Sequence, residues 1–215
     1  MRGITKIAWS SAFTVAPVPE KTTLATALQQ YFFNDGRGCY LLSGDDYPHR
    51  IPKRNDEEQL RVYKEAGEDG LRGYLGTKKE IDFARINEVL AAFHEGKDTI
   101  TLRHLEREDG EISSEDTDFS GTSVLLLEWT HGGSDDLHGV DLSVFLESSP
   151  EETKERRIRR NRDENATSPF ICRVVELEQE KLEVQRKNAG CIFFFLHSAE
   201  PVPFRSRPGI FSDRL

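Results

Sequence analysis

No stretch of this chain comes near the ~18 consecutive apolar residues that a membrane-crossing helix needs, so no membrane partner is expected. Cysteine is scarce: Cys39, Cys172 and Cys191 are odd in number and far apart. They make neither a C-x-x-C metal pattern nor a disulfide framework, and they read as reduced thiols of a cytoplasmic protein. Positive charge is also short, with 29 Lys and Arg against 38 Asp and Glu and a net charge of −9. That balance excludes a general nucleic-acid binder and leaves the basic residues to local roles. Repeats and low-complexity tracts are lacking. The segment 7–16, preceded by Arg2 and Lys6, has a faint likeness to a secretory signal, but Ser10, Ser11 and Thr14 interrupt it. What is present is a chain of 215 residues, 36% hydrophobic and 31% charged, long enough for one α/β domain with a sizeable core and some excursions.

Short apolar runs alternate with helical patterns. Strands are expected over 4–15, 39–42, 99–102, 124–127, 140–146 and 191–196. The run Val124-Leu125-Leu126-Leu127 has the continuous apolarity of a strand buried on both faces. Helices are expected over 21–33, with Leu24, Leu28, Tyr31 and Phe32 on one face, and from an Asn55/Glu58 capping pair to Gly67. Gly70, Gly73 and Gly76 then mark an irregular stretch. Asp82 is placed to cap a helix bearing Phe83, Ile86, Leu90 and Phe93, and the charged run 106–120 reads as a surface excursion. Ser168-Pro169 opens a last helix with Ile171, Val174, Val175 and Leu182 inward, closing near Gly190. Such alternation points to a three-layer α/β domain with a mainly parallel sheet, in which ligands bind beyond the carboxyl ends of the strands.

The residues after each strand therefore carry the functional reading. After the first come Lys21, Thr22 and Thr23 at a helix start; after the second, Asp45-Asp46-Tyr47-Pro48-His49-Arg50; after the fourth apolar run, Glu128 to Gly132. The strand over 140–146 feeds a helix start at Ser149-Pro150-Glu151-Glu152 and then Arg156, Arg157, Arg159, Arg160 and Arg162. Guanidiniums packed so densely repel one another unless anions or carboxylates lie nearby, and their forked donors suit phosphate oxygens. The alternative is a solvated helix balanced by Glu151, Glu152, Glu155, Asp163 and Glu164. Taken as a set, a helix terminus with Lys21 would hold phosphates, and Thr22 with a carboxylate would bind Mg²⁺. Another carboxylate would orient a hydroxyl, and a lid of arginines would screen charge in transfer.

The chain resembles the P-loop small-molecule kinases of the uridine kinase and phosphoribulokinase group over most of residues 1–197. The segment from Asp45 to Arg50 looks like that group's aspartate-plus-aromatic motif after the second strand. Leu125-Leu126-Leu127-Glu128-Trp129-Thr130-His131-Gly132 looks like its apolar strand ending in an acidic residue. Arg157 to Asp163 resembles its arginine-rich lid, and His94-Glu95-Gly96-Lys97 its helix end before a substrate-side strand. One departure stands out: in the pattern G-x-x-x-x-G-K-[ST], Lys21-Thr22 is kept, while Val15 and Glu20 occupy the two glycine positions.

The resemblance implies ATP, Mg²⁺ and phosphorylation of a hydroxyl on a small metabolite such as a nucleoside, sugar phosphate or adenylyl sulfate. Asp45 is the expected proton acceptor, with Asp46 able to exchange roles with it, and Lys21 and Arg160 are expected to act on the transferring phosphoryl group. Nucleotide contacts are expected from Lys21, Thr22, Thr23, Arg157 and Arg162, and metal contacts from Thr22 and Glu128. Acceptor contacts are expected from Asp46, Tyr47, His49 and Arg50. His131 reads as a loop histidine and Phe193 to Phe195 as core. A single domain is expected over 1–197, with acceptor-side excursions at 48–120, the lid at 150–167 and a tail at 198–215. The rival reading is a catalytically silent pseudokinase that binds a metabolite or a protein partner.

Overall fold

A computed structural model of the chain describes residues 8–13, 19–106, 111–147 and 168–194, with side chains over 24–106, 111–146 and 168–192. Expectations for the loop at 14–18, the lid at 150–167 and the tail at 198–215 lie outside the described residues, as do the side chains of Lys21, Thr22 and Thr23.

Five parallel strands form the central sheet in the order β2-β5-β1-β6-β7. They are β1 (Ala8–Phe13), β2 (Gly38–Ser43), β5 (Thr122–Trp129), β6 (Leu142–Glu147) and β7 (Cys191–Phe194). The expected parallel sheet is therefore present. Residues of β5 alternate between its two faces. Val124 and Leu126 join Phe32 and Cys39 beneath α1 (Pro19–Asn34). Leu125 and Leu127 join Phe83, Ile86, Leu90 and Phe93 of α3 (Phe83–His94) on the opposite face. All four β5 residues are at most 2% exposed. Each such side chain contributes roughly 1.5–3 kcal/mol relative to an exposed one, which is why an unbroken apolar run sits at the middle of three layers. Along α1, Leu24 and Leu28 face the sheet as expected, but Tyr31 is 64% exposed: the turn that buries Phe32 carries its neighbour into solvent.

Two of the expected helix starts are capped by the side chains read for them. The Asp82 carboxylate accepts from Arg85 N at 3.1 Å and starts α3. The Ser168 hydroxyl accepts from Ile171 N at 3.1 Å and starts α4 (Pro169–Gln185), where Leu177 is buried beside Val174.

Several expectations are corrected. The helix placed after Asn55 begins earlier, as α2 (Pro52–Arg72), because Pro52 occupies the first helical turn, where its missing N–H costs nothing. Gly67 interrupts this helix with φ 63° and ψ −153° without ending it, and the chain resumes helical geometry to Arg72. Of the irregular glycine stretch, Gly70 belongs to α2, and Tyr74 and Leu75 are buried. The charged run 106–120 contains a strand, β4 (Ile112–Asp118), antiparallel to β3 (Thr99–Leu105). Six of its seven residues are exposed, on both faces, so Glu115, Asp116 and Asp118 carry no burial cost.

The last turn of α2 meets α4 through Leu71, Tyr74 and Leu75 packed on Val174 and Leu177. Arg72 pairs with Glu180 and Arg173 with Glu68 across the same seam. These exposed ion pairs set the seam's register more than its strength.

Candidate active site

The carboxyl edges of β2 and β5 lie side by side, with Ser43 in register with Glu128 on one flank and Ser11 of β1 with Glu128 on the other. Since Leu125, Leu127 and Trp129 point towards α3, strand alternation sends half-buried Glu128 to the α1 face. That face also holds the start of α1, where Lys21, Thr22 and Thr23 occupy the first two turns. A carboxylate at a strand tip and a hydroxyl residue in the opening turns of a helix form the kind of oxygen donor set that Mg²⁺ takes alongside nucleotide phosphates. Among the described residues no group of three or more His, Cys, Asp or Glu gathers as a metal site.

After Ser43 the chain makes a short 3₁₀ turn, Gly44–Asp46. Gly44 is required here because a Cβ would lie 2.0 Å from the Trp129 ring. The turn places Asp45, exposed, at the mouth of a cleft of about 620 Å³. Arg50, Asn55 and Gln59 line one wall; His131 and Glu178 of α4 also border it. Asp46 is not among the residues lining the cleft; its charge adds to the rise that burial gives the phenols of Tyr40 and Tyr47. Of the two carboxylates, Asp45 is the one that borders the cleft.

Tyr47, expected at the acceptor, is fully buried among Leu42, Ile81 and Phe83, which makes it a core anchor, and it also contributes to the cleft lining. Burial pushes its phenol up to about 12, with the Arg103 backbone opposing the rise. His49 Nε2 lies 3.0 Å from the Lys78 carbonyl, and its Nδ1 is 4.0 Å from Asp82. Arg50 lines the cleft while donating to the Lys79 carbonyl at 3.2 Å and the Tyr74 hydroxyl at 3.4 Å, and it lies 3.7 Å from Glu58. Both residues hold the turn at 78–80; of the two, Arg50 also lines the cleft.

Sequence reasoning missed Glu80. Only 7% exposed, its carboxylate accepts from Asn55 Nδ2 at 2.8 Å, Gln59 Nε2 at 2.9 Å and Gly76 N at 2.6 Å. Tyr74 donates to Asn55 Oδ1 at 2.6 Å and extends the network to Arg50. Asn55, read as a helix cap, is thus the centre of a satisfied buried network that shapes the cleft wall. Nothing in Lys78-Lys79-Glu80 separates this glutamate from a surface charge. Gly76, at φ 61°, lets His131 approach: a Cβ there would be 2.8 Å from the ring. Burial lowers the neighbouring Lys181 ammonium, against the attraction of Glu80.

A five-stranded parallel sheet in this order, with a helix opening after the central strand and acidic residues at the neighbouring strand tips, is the fold of the P-loop small-molecule kinases. In particular it is the fold of the phosphoribulokinase and uridine kinase group. Phosphoribulokinase from Rhodobacter spheroides superposes with a TM-score of 0.65 at 15% identity, over 89% of this chain and 71% of that one. A protein described as a possible uridine kinase from Bacillus stearothermophilus gives 0.60 at 18% identity, over 90% and 91%. In sequence, the chain is 90% identical over 172 residues to a bifunctional alpha-galactosidase/sucrose kinase, AgaSK, of Mediterraneibacter gnavus. That match covers 80% of this chain and 18% of the relative's length. No family model matches the chain.

Proposed function

We propose that this chain carries an ATP-dependent phosphotransferase that phosphorylates a hydroxyl of a neutral, polyhydroxylated small molecule. Sucrose, the acceptor in the relative's name, is the first candidate. The observation that carries the reading is the cleft bordered by Asp45 at the carboxyl edge of a P-loop kinase sheet. Asp45 accepts the proton of the acceptor hydroxyl as its oxygen bonds to the γ-phosphorus and the bond to ADP breaks. Lys21, Thr22 and Thr23, in the opening turns of α1, hold phosphate oxygens. Thr22 and Glu128 would hold Mg²⁺, which would offset phosphate charge. Arg157, Arg160 and Arg162 belong to the lid in this reading, with Arg160 on the transferring group. Residues 48–120 supply the acceptor side, and the single domain extends over 1–197.

Charge selects among acceptors. Asp45, Asp56, Glu80 and Glu178 border the cleft, and Arg50 is the basic side chain among its described lining residues apart from His131. Carboxylates accept hydrogen bonds from hydroxyls and repel phosphate and sulfate, which disfavours sugar phosphates and adenylyl sulfate. The free thiols, with Cys39 buried and Cys172 exposed, support a reducing, cytoplasmic setting. No described helix is long and apolar enough to cross a membrane. The partners are a nucleotide and a small molecule, and the net charge of −9 argues against a nucleic-acid polymer.

An acceptor panel at fixed Mg²⁺-ATP, read by coupled ADP release, tests this. Neutral sugars should exceed their phosphorylated counterparts in kcat/KM by about tenfold or more, equivalent to ~1.4 kcal/mol. Preference for a phosphorylated or sulfated acceptor would overturn the charge argument.

A further inference from the structure

We propose that Arg103 is a positioning residue of the phosphotransfer site: from the β3–β4 hairpin it fixes the loop that follows Asp45. The inference rests on the reading of Asp45 as proton acceptor. Residues 47–49 are strapped to residues 80–82. Asp82 N donates to the Tyr47 carbonyl at 2.9 Å, His49 N donates to the Glu80 carbonyl at 2.9 Å, and Pro48 forms a bridge with Ile81. Arg103 Nη2 donates to the Pro48 carbonyl at the middle of this strap, and Nη1 reaches Asp82 Oδ2 at 3.4 Å. The other Asp82 oxygen caps α3. One guanidinium therefore gathers the hairpin, the acceptor loop and the start of α3.

The chemistry of this clamp favours geometry over stability. The Arg103 side chain is 10% exposed, and its Nε–H is buried with no hydrogen-bond partner. The pair is only partly buried, since the Asp82 side chain keeps 26% exposure and its cap on α3, so an apolar residue of similar volume at 103 leaves a carboxylate that water and Arg85 N still satisfy. What an apolar residue cannot do is fix two acceptors through a rigid planar fork. Tyr47 anchors the loop in depth through its buried ring; the polar straps set how the chain runs on either side of it. Asp45 lies only three residues from the clamped Pro48 carbonyl. Loss of the clamp moves that carboxylate relative to the acceptor hydroxyl.

The test uses the full chain with Arg103→Met and Arg103→Lys. Arg103→Met should melt close to wild type yet lose hydrogen-exchange protection at the His49 and Asp82 amides. Its kcat should fall about 10- to 100-fold, the scale of a misplacement on the order of 1 Å, with KM for Mg²⁺-ATP unchanged. More ATP should be hydrolysed per acceptor phosphorylated, because water competes when the hydroxyl is poorly held. Arg103→Lys restores charge but reaches one acceptor at a time, and should fall between. Wild-type protection and kcat in Arg103→Met would overturn the proposal. Unfolding of Arg103→Met together with wild-type protection and coupling in Arg103→Lys would overturn it as well, assigning Arg103 to stability. If the unmodified chain transfers no phosphoryl group, the Asp45 reading fails, while the exchange measurement still decides whether Arg103 fixes the loop.

Discussion

Asp45→Asn should lower phosphoryl transfer by roughly 10²–10⁴-fold while leaving the fold and nucleotide affinity close to wild type, since general-base loss has that scale. Asp45 is exposed on a short turn, and surface substitutions of this kind usually stay within about 0.5 kcal/mol in stability. The amide keeps the shape of the side chain and loses the proton acceptor. Asp46→Asn should do much less, because Asp46 acts on Tyr40 and Tyr47 and does not border the cleft. Steady-state kinetics on both variants, with melting curves as a control, separates the two carboxylates. If Asp46→Asn proves the sensitive change, the proton acceptor is one residue further along. If both keep wild-type turnover, the cleft is not where the acceptor hydroxyl is activated.

The second large effect lies at the start of α1. Val15 and Glu20 stand at the two glycine positions of the P-loop pattern, and each opposes phosphate for its own reason. A β-branched residue held in a sparsely populated backbone region costs about 1–3 kcal/mol. A carboxylate near phosphate adds a repulsion of about 1–4 kcal/mol at ~4 Å, between bulk water and a protein surface. α1 begins at Pro19, so Glu20 is its second residue. There a negative side chain already suits the positive helix end that phosphate would otherwise use. Val15→Gly with Glu20→Gly should therefore tighten Mg²⁺-ATP binding by about tenfold for each ~1.4 kcal/mol relieved. Glu20→Gly alone should supply the larger, salt-sensitive share. Calorimetry on wild type, both single variants and the double variant measures this. Tight wild-type binding that the glycines do not improve would mean that the loop grips phosphate by another geometry.

What the sequence made legible was whatever depends on local pattern. The continuous apolar run of β5 announced a central strand. Asp82 ahead of Phe83, Ile86, Leu90 and Phe93 announced α3 together with its cap. The position of Asp45 at a strand tip bordering a cleft followed from where parallel sheets bind ligands. The rest depends on contacts between distant residues. β4 carries charged and hydroxyl residues that read as loop, and it becomes a strand because β3 offers it a ladder. Asn55 offered an obvious cap, yet its side chain spends its hydrogen bonds on Glu80 and Tyr74, 25 and 19 residues away. Tyr47 sits among polar residues that suggest acceptor contacts, but the turn at Gly44–Asp46 directs its ring into the core. The cleft wall from α2 and α4 could not be foreseen, because no local signal links Gln59 or Glu178 to Asp45.

Phosphorus NMR of the full chain incubated with Mg²⁺-ATP and sucrose tests the central claim most directly. The account predicts a new phosphomonoester signal growing in step with ADP, dependent on the sugar and absent in Asp45→Asn. ATP signals that stay unchanged across a panel of neutral hydroxylated acceptors, or that give orthophosphate alone, would contradict it.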